Sequence, residues 1–164
     1  IYVGFFRGTP IVVQLLLLYY VIFPLAGVNI DKLVVAIVTF GINSGAYVSE
    51  IMRSGILSVD AGQREAGRAL GLSYPSTMLR IVLPQALKNS LPALGNELIA
   101  LVKDTSVAGF IAVFDLTQAF KLIGSSSYEF MIPYLVLALF YLVIVGILTV
   151  IIKMIERRFA KSDK

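Results

Sequence analysis

Long apolar runs separated by polar segments dominate the pattern of this chain. Residues 11–30 and 130–152 carry no charge, and residues 33–52 carry only Glu50, near the far end of the run. Because about 20 apolar residues are enough to cross the hydrocarbon core as a helix, each of these three runs predicts a membrane span. Together with one weaker run, they predict an all-α polytopic membrane protein with four spans.

The weaker run, residues 91–113, contains three charged side chains. Glu97, Lys103 and Asp104 interrupt it, and each charge near mid-membrane costs about 2.5–3.5 kcal/mol on insertion scales. Such groups are tolerated where they face protein, an opposite charge or water. The run therefore predicts a span whose charged side is turned away from lipid.

Residues 60–92, here called the insert, form the longest polar break between apolar runs, and they predict two short helices. Asp60 and Gln63 match a capping box, which marks the start of the first helix. Gly71 is expected to end that helix, because glycine adopts the left-handed backbone without steric cost. Ser73 is expected to cap the second helix.

Other polar segments predict the remaining connections. Thr9 and Pro10 suit the N-cap and the first position of the span that follows them. Residues 115–129 are expected to form a polar loop. Pro84 and Pro92 are expected to limit how far the second helix of the insert continues.

Composition supports the membrane class and excludes several others. The chain is 58% hydrophobic with a mean hydropathy of +0.88 and only 15% charged residues, against about 25% charged in soluble domains. It contains neither cysteine nor histidine, which excludes disulfides, thiolate or histidine metal sites and histidine-based catalytic triads. We therefore expect no metal and no catalytic residues.

The basic residues lie at the ends of the apolar runs and not along one stripe, which argues against nucleic acid as a partner. If the chain has four spans, two of the basic residues, Lys32 and Lys121, fall on one side of the membrane. Eleven fall on the other side: Arg7, Arg53, Arg64, Arg68, Arg80, Lys88, Lys153, Arg157, Arg158, Lys161 and Lys164. By the positive-inside rule, the insert and the C-terminus are expected to be cytoplasmic.

The insert also carries a recognisable motif. Glu65, Ala66 and Gly67, then Gly71, then the Ile-Val-Leu-Pro of residues 81–84, resemble the EAA signature of membrane subunits of ATP-binding-cassette (ABC) importers. Gly67 stands where the signature has a third alanine, and glycine lowers helix propensity.

Three flanking motifs narrow the resemblance. They are Arg-Gly-Thr-Pro at 7–10, Asn-Ser-Gly-Ala-Tyr at 43–47 and Lys-Asp-Thr-Ser at 103–106. Together they are similar to those of polar amino-acid permeases of the histidine, glutamine and arginine uptake type. The similarity covers essentially the whole chain.

This resemblance implies a type I ABC importer transmembrane (MetI-like) fold, with residues 1–164 as a single transmembrane domain. Members of the family normally have one more span before the Arg-Gly-Thr-Pro motif, so we expect that span to be missing here. The insert would be the coupling helix, seated in a cleft of the ATPase subunit. The positions implied for coupling are Glu65, Ala66, Gly67, Gly71, Leu83 and Pro84.

The resemblance also implies the partners. They are a second permease subunit, identical or paralogous, two ATP-binding subunits, and an extracytoplasmic solute-binding protein, in a lipid bilayer. The chain has no Gly-x-x-x-x-Gly-Lys-Ser/Thr sequence, so we expect ATP and Mg²⁺ to be bound by the partner subunit and no cofactor by this chain.

Polar groups inside the spans are the candidate substrate pathway. Glu97 and Asp104 are seven residues apart and share one helical face, with Lys103 one position off it. They can offer opposite charges to the ammonium and carboxylate of an amino acid, or they can form a network that only holds helices together. Asn43 and Ser44 can supply uncharged hydrogen bonds.

Two other functions remain open from the residues alone. Glu97, Lys103 and Asp104 could relay protons in an ion-coupled secondary transporter. The chain shows no inverted repeat, however, and such a carrier does not need the insert. The other alternative is a non-transporting membrane assembly protein.

Overall fold

The computed structural model describes residues 1–160, so that Lys161 and Lys164 of the basic tail lie outside the described residues. The described residues form helices joined by short turns. In chain order the α-helices are α1 (Tyr2–Gly8), α2 (Ile11–Leu17), α3 (Phe23–Leu25), α4 (Lys32–Leu57), α5 (Ala61–Ala69), α6 (Tyr74–Thr77), α7 (Leu83–Asp104), α8 (Leu116–Ser127) and α9 (Met131–Ala160). Two π-helical turns (Leu18–Ile22 and Met78–Val82) and a 3₁₀ helix (Thr105–Ile111) complete the order.

By helix length and apolarity alone, fewer than the four predicted spans qualify among the described residues. Among the described residues, only Lys32–Leu57 and Met131–Arg158 are long and apolar enough to cross a membrane as single helices. A third candidate is the bent pair Tyr2–Gly8 and Ile11–Leu25, whose two parts meet at 107°. α7, which contains Glu97, Lys103 and Asp104, is not among these candidates.

The first predicted span is also shorter than residues 11–30. Helical structure from Ile11 stops at Leu25, and Gly27 then adopts a left-handed backbone with φ of 68°. Thr9 does not cap this helix, as the sequence had suggested. Its hydroxyl instead donates to the Phe5 carbonyl at 2.9 Å, which satisfies the end of α1, and Pro10 occupies the N-cap.

Each π-helical turn directly precedes a proline. In both, the residue before the proline donates its N–H five residues back: Phe23 to the Leu18 carbonyl and Leu83 to the Met78 carbonyl. A proline in a regular helix clashes with the carbonyl four residues earlier, and one extra residue per turn relieves that clash. For this reason Pro84 does not stop the helix.

α7 therefore begins eight residues before the predicted span and passes through Pro92 without ending. The polar loop expected at residues 115–129 is likewise wrong, because that segment is α8. Asp115 caps it by accepting a hydrogen bond from the Gln118 N–H at 2.7 Å. Apolar side chains four residues apart, such as Leu116 and Phe120, then turn one side of α8 towards α9, where Phe120 meets Phe140 at 5.7 Å between ring centroids.

The core has two parts. One lies where α2, α4 and the 3₁₀ helix meet, and Leu15, Val35 and Ile111 are its most buried members. The other lies at the root of the insert, where Val59, Val82 and Ala86 pack together. By contrast, α9 buries little of its apolar surface within the described residues.

α4 and α7 form the closest packing in the chain. At Gly55 a Cβ atom would lie 1.9 Å from the Ser90 Oγ and 2.8 Å from the Ala86 carbonyl oxygen, so that only glycine fits there. Ser90 in turn donates to the Ile51 carbonyl at 3.4 Å. A second tight point, Gly95 against Ile152, brings α7 onto α9.

Replacement of Gly55 by alanine should destabilise the purified complex, because the overlap with the Ala86 backbone cannot be relieved by a side-chain rotation. We expect a loss of about 1–3 kcal/mol, which is typical of overpacking, measured as a lower Tm. Gly41→Ala, on the same helix, is the matched control, because a Cβ atom at Gly41 would meet nothing within 4 Å. Equal melting temperatures for both variants would contradict the close crossing.

Candidate coupling and translocation sites

The insert folds as a capped helical elbow. The Asp60 carboxylate accepts a hydrogen bond from the Gly62 N–H at 2.7 Å and starts α5, although the capping contact falls on Gly62 and not on Gln63. Gly71 takes a left-handed backbone with φ of 83°, and Ser73 caps α6 by accepting from the Ser76 N–H at 3.4 Å. The predicted glycine joint is therefore confirmed.

Gly67 is the buried contact of this elbow. A Cβ at Gly67 would lie 2.8 Å from both the Ile81 Cδ1 and the Thr77 Cγ2. The glycine that replaces the third alanine of the signature thus lets α5 pack directly on α6 and the π-helical turn that follows it. Gly67 and Gly71 consequently shape the elbow and do not present side chains to a partner.

The other predicted coupling residues lie at the surface or near it. Glu65 and Ala66 are exposed on α5, and the neighbouring Leu70 is 82% exposed. Leu83 is half-buried at the start of α7, while Pro84 is exposed beside a cleft that also involves Gln63. Glu65, Ala66, Arg68 and Leu70 thus leave charged and apolar side chains exposed on the elbow.

The candidate pathway residues divide into two groups. The Ser44 side chain is a hydrogen-bonding neighbour of the Glu97 carboxylate, and Asp104 interacts electrostatically with Glu97. Lys103 in turn interacts electrostatically with Asp104. The contact between α4 and α7 therefore joins Ser44 to Glu97, while Lys103 and Asp104 lie about two turns further along α7.

Asn43 lies in a different place. It is buried, and its side-chain amide donates to the Phe6 carbonyl at 3.1 Å and to the Gln14 Oε1 at 3.0 Å. Gln14, also buried, donates to the carbonyl of Phe6 at 2.9 Å and to that of Thr9 at 2.9 Å. This network ties the sharp bend between α1 and α2 to the middle of α4.

Gln14 was not singled out from the sequence, although it is the one amide within the uncharged run that starts at Ile11 and ends at Leu25. A polar side chain in such a run has to find a partner inside the protein, and that isolation is the signal that could have revealed it.

A second missed group lies nearer the Arg53 end of α4. The Arg53 Nε donates to the Glu50 Oε2 at 2.9 Å, and the Arg7 guanidinium lies 3.8 Å from the Glu50 Oε1. The same Arg7 guanidinium sits over the Tyr47 ring, 5.3 Å from its centroid. Two cations and one carboxylate thus link α1 to α4.

The chain has apolar helices long enough to cross a membrane, an elbow between α4 and α7, and charges along α7. These features define a polytopic transport subunit. The family model described as "binding-protein-dependent transport system inner membrane component" matches residues 1–161. The chain belongs to this family.

Individual relatives agree. The chain is 42% identical over 162 residues to the arginine transport system permease protein ArtQ of Bacillus subtilis, covering 99% of this chain and 74% of the relative. It is also 42% identical over 160 residues to the glutamine transport system permease protein GlnP of Escherichia coli, covering 96% and 73% of the two chains. These relatives confirm the resemblance to polar amino-acid permeases.

Solved structures give the same fold. The model matches a chain described as "Crystal structure of an amino acid ABC transporter with histidines" with a TM-score of 0.90 and 41% identity, covering 96% of this chain and 73% of that one. An inward-facing MetNI methionine transporter chain matches with a TM-score of 0.80 at 22% identity, over 96% and 72% of the chains, which supports the fold alone.

The expected all-α type I importer fold is therefore confirmed, and so is the role of permease subunit. The protein is a membrane component of an ABC importer and not an enzyme, since ATP hydrolysis belongs to a separate subunit. Membership of this family also implies an ATPase and a solute-binding protein as partners.

Substitution of Asn43 by alanine should destabilise the complex, because the buried Gln14 Oε1 would lose its donor. The Phe6 carbonyl keeps the hydrogen bond from the Gln14 amide. A buried group left unpaired costs about 1–3 kcal/mol, and a double-mutant cycle with Gln14→Ala should show coupling between the two side chains. The measurement is the Tm of each variant, with the exposed Asn29→Ala as control. A variant that melts like wild type but transports poorly would instead favour the predicted pathway role of Asn43.

Proposed function

We propose that this protein forms half of the translocation pathway for a polar amino acid, and that the set Ser44, Glu97, Lys103 and Asp104 contacts the substrate. The observation that carries the proposal is the continuity of α7, which bears residues of both predicted sites. Leu83 and Pro84 start this helix at the elbow, and Glu97 and Asp104 lie in its second half.

A single helix can transmit motion between those two ends. Fourteen residues separate Leu83 from Glu97, which corresponds to about 21 Å along a helix axis. When nucleotide-driven closure of the ATPase subunits displaces the seated elbow, α7 moves as a rigid body and carries Glu97 with it. The exposed Glu65, Ala66 and Leu70 would be the contact with the ATPase subunit.

The charges of this set are complementary to a free amino acid. Glu97 and Asp104 can neutralise an ammonium group, Lys103 can pair with a carboxylate, and Ser44 can orient the Glu97 carboxylate. Because a charge inside the membrane is costly without such partners, its presence is best explained by a polar ligand or a water-filled cavity at this position. Zwitterionic and cationic substrates both fit.

The assembly follows from the size of the chain. The spans of one chain cannot enclose a pathway alone, so we propose a dimer of permease subunits, identical or paralogous, with two ATPase subunits on the cytoplasmic side. The insert and the C-terminal end of α9 face the cytoplasm, because most arginines and lysines lie there. ATP and Mg²⁺ are bound by the ATPase subunits, and this chain needs no cofactor of its own.

Conversion of Glu97 or Asp104 to its amide should abolish amino-acid uptake while the complex remains assembled. Removal of either negative charge deletes an interaction with the ammonium group but changes side-chain volume little. The measurement is uptake of radiolabelled L-arginine, L-glutamine and L-cystine into proteoliposomes that contain ATP, with assembly checked by gel filtration. Glu156→Gln, at the far end of α9, is the control, and unchanged uptake in either amide variant would remove that residue from the pathway.

The same assay separates the alternatives. Uptake by an ABC importer should require ATP and resist a protonophore, whereas an ion-coupled carrier would lose its activity when the proton gradient is dissipated. A membrane assembly protein would purify without an ATPase and transport nothing.

Single cysteines should report the orientation, since the chain contains none. Ser126→Cys in α8 should react with a membrane-impermeant maleimide in spheroplasts. Arg158→Cys, at the other end of α9, should react only after permeabilisation. The two exposed positions lie near opposite ends of α9, which is about 40 Å long from Met131 to Arg158. The reverse labelling pattern would overturn the proposed topology.

A further inference from the structure

A cavity of about 410 Å³ lies among α1, α4 and α7, on the Arg53 side of the Ser44–Glu97 contact. Small-molecule sites typically enclose about 300–1,000 Å³, so the space suits a ligand the size of an amino acid. The polar members of its lining are Arg7, Tyr47, Glu50, Ser54, Ser58 and Asn89.

The cavity presents both signs of charge. The Arg7 guanidinium and the Glu50 carboxylate lie 3.8 Å apart at their nearest atoms. The Arg7 side chain is 41% exposed and the Glu50 side chain is 25% exposed. Arg53 also donates to both oxygens of the Glu50 carboxylate, so that two guanidinium groups and one carboxylate lie at this end of the cavity and repel a lone cation. A zwitterion can place its carboxylate on Arg7 and its ammonium on Glu50, with hydroxyls such as that of Ser54 completing the hydrogen bonds.

The cavity also lies next to the proposed substrate site. Tyr47, in its wall, lies three residues after Ser44 on α4, and Ala93, also in its wall, lies four residues before Glu97 on α7. Residues at these spacings share one helical face, one above the other. The cavity therefore begins one helical turn from the Ser44–Glu97 pair.

We infer that this cavity is a second subsite for the α-amino acid, which holds the zwitterion between the Ser44–Glu97 site and release at the Arg53 end. Its place on the route rests on the proposed function. Occupancy of the cavity itself does not, because binding can be measured without transport.

Protection of a cysteine against alkylation tests the inference. Ser54→Cys places one thiol in the cavity wall. The complex is assembled with partner subunits that lack cysteine and is reconstituted in nanodiscs. L-arginine and L-glutamine are the probes. At a free concentration ten times Kd, the effective probe should slow alkylation of Ser54→Cys about tenfold, while the exposed Ser125→Cys on α8 reacts at an unchanged rate.

Second substitutions distinguish the two sites. Protection should persist in Ser54→Cys with Glu97→Gln, and it should disappear in Ser54→Cys with Arg7→Gln. If Arg7→Gln prevents assembly, Asn89→Ala is measured in its place, because Asn89 also lines the cavity. Absence of protection by both probes, its loss with Glu97→Gln, or its persistence with the cavity variant would each overturn the subsite. Undiminished uptake by Glu97→Gln would instead count against the proposed function alone.

Discussion

The close approach of α4 and α7 at Gly55 determines where the functional groups of this protein lie. Because Gly55 has no side chain, the backbone of α7 comes into contact with α4. The two helices are also in contact further along, at Ser44 and Glu97. A side chain larger than hydrogen would push Ser90 and Ala86 away. The Ser44–Glu97 contact and the cavity beside Asn89 would then open, because both depend on the same helix spacing.

α7 gains its length through the π-helical turn at Met78–Val82. Without that extra residue, Pro84 would clash with the carbonyl of Arg80 and interrupt the helix between the elbow and the pathway. The turn thus lets one helix begin at the coupling elbow and end near Asp104. Gly67 completes the connection, because its missing side chain lets α5 pack on the same turn. These direct contacts would pass a displacement of α5 to α7, as the proposed function requires.

Local chemistry predicted some of these features better than others. Asp60, Gly71 and Ser73 were placed correctly because caps and left-handed glycines depend on a few neighbouring residues. α8 was missed because serines and a glycine resemble a loop until Asp115 caps the segment and α9 covers one side of it. The buried amides of Gln14 and Asn43 are partners only in three dimensions, so no spacing along the chain could pair them.

The cost of charge in the membrane explains the order of the helices. α9 is uncharged from residue 130 to 152 and buries little of its surface, so lipid or a second subunit can cover it without penalty. α7 carries Glu97, Lys103 and Asp104, each of which would cost about 2.5–3.5 kcal/mol if it faced lipid. α7 consequently packs between α4 and α9, with Gly95 against Ile152 on one side and Ser90 against Gly55 on the other. We therefore place the proposed polar route along the contact of α7 with α4, since the opposite side of α7 packs against the apolar surface of α9.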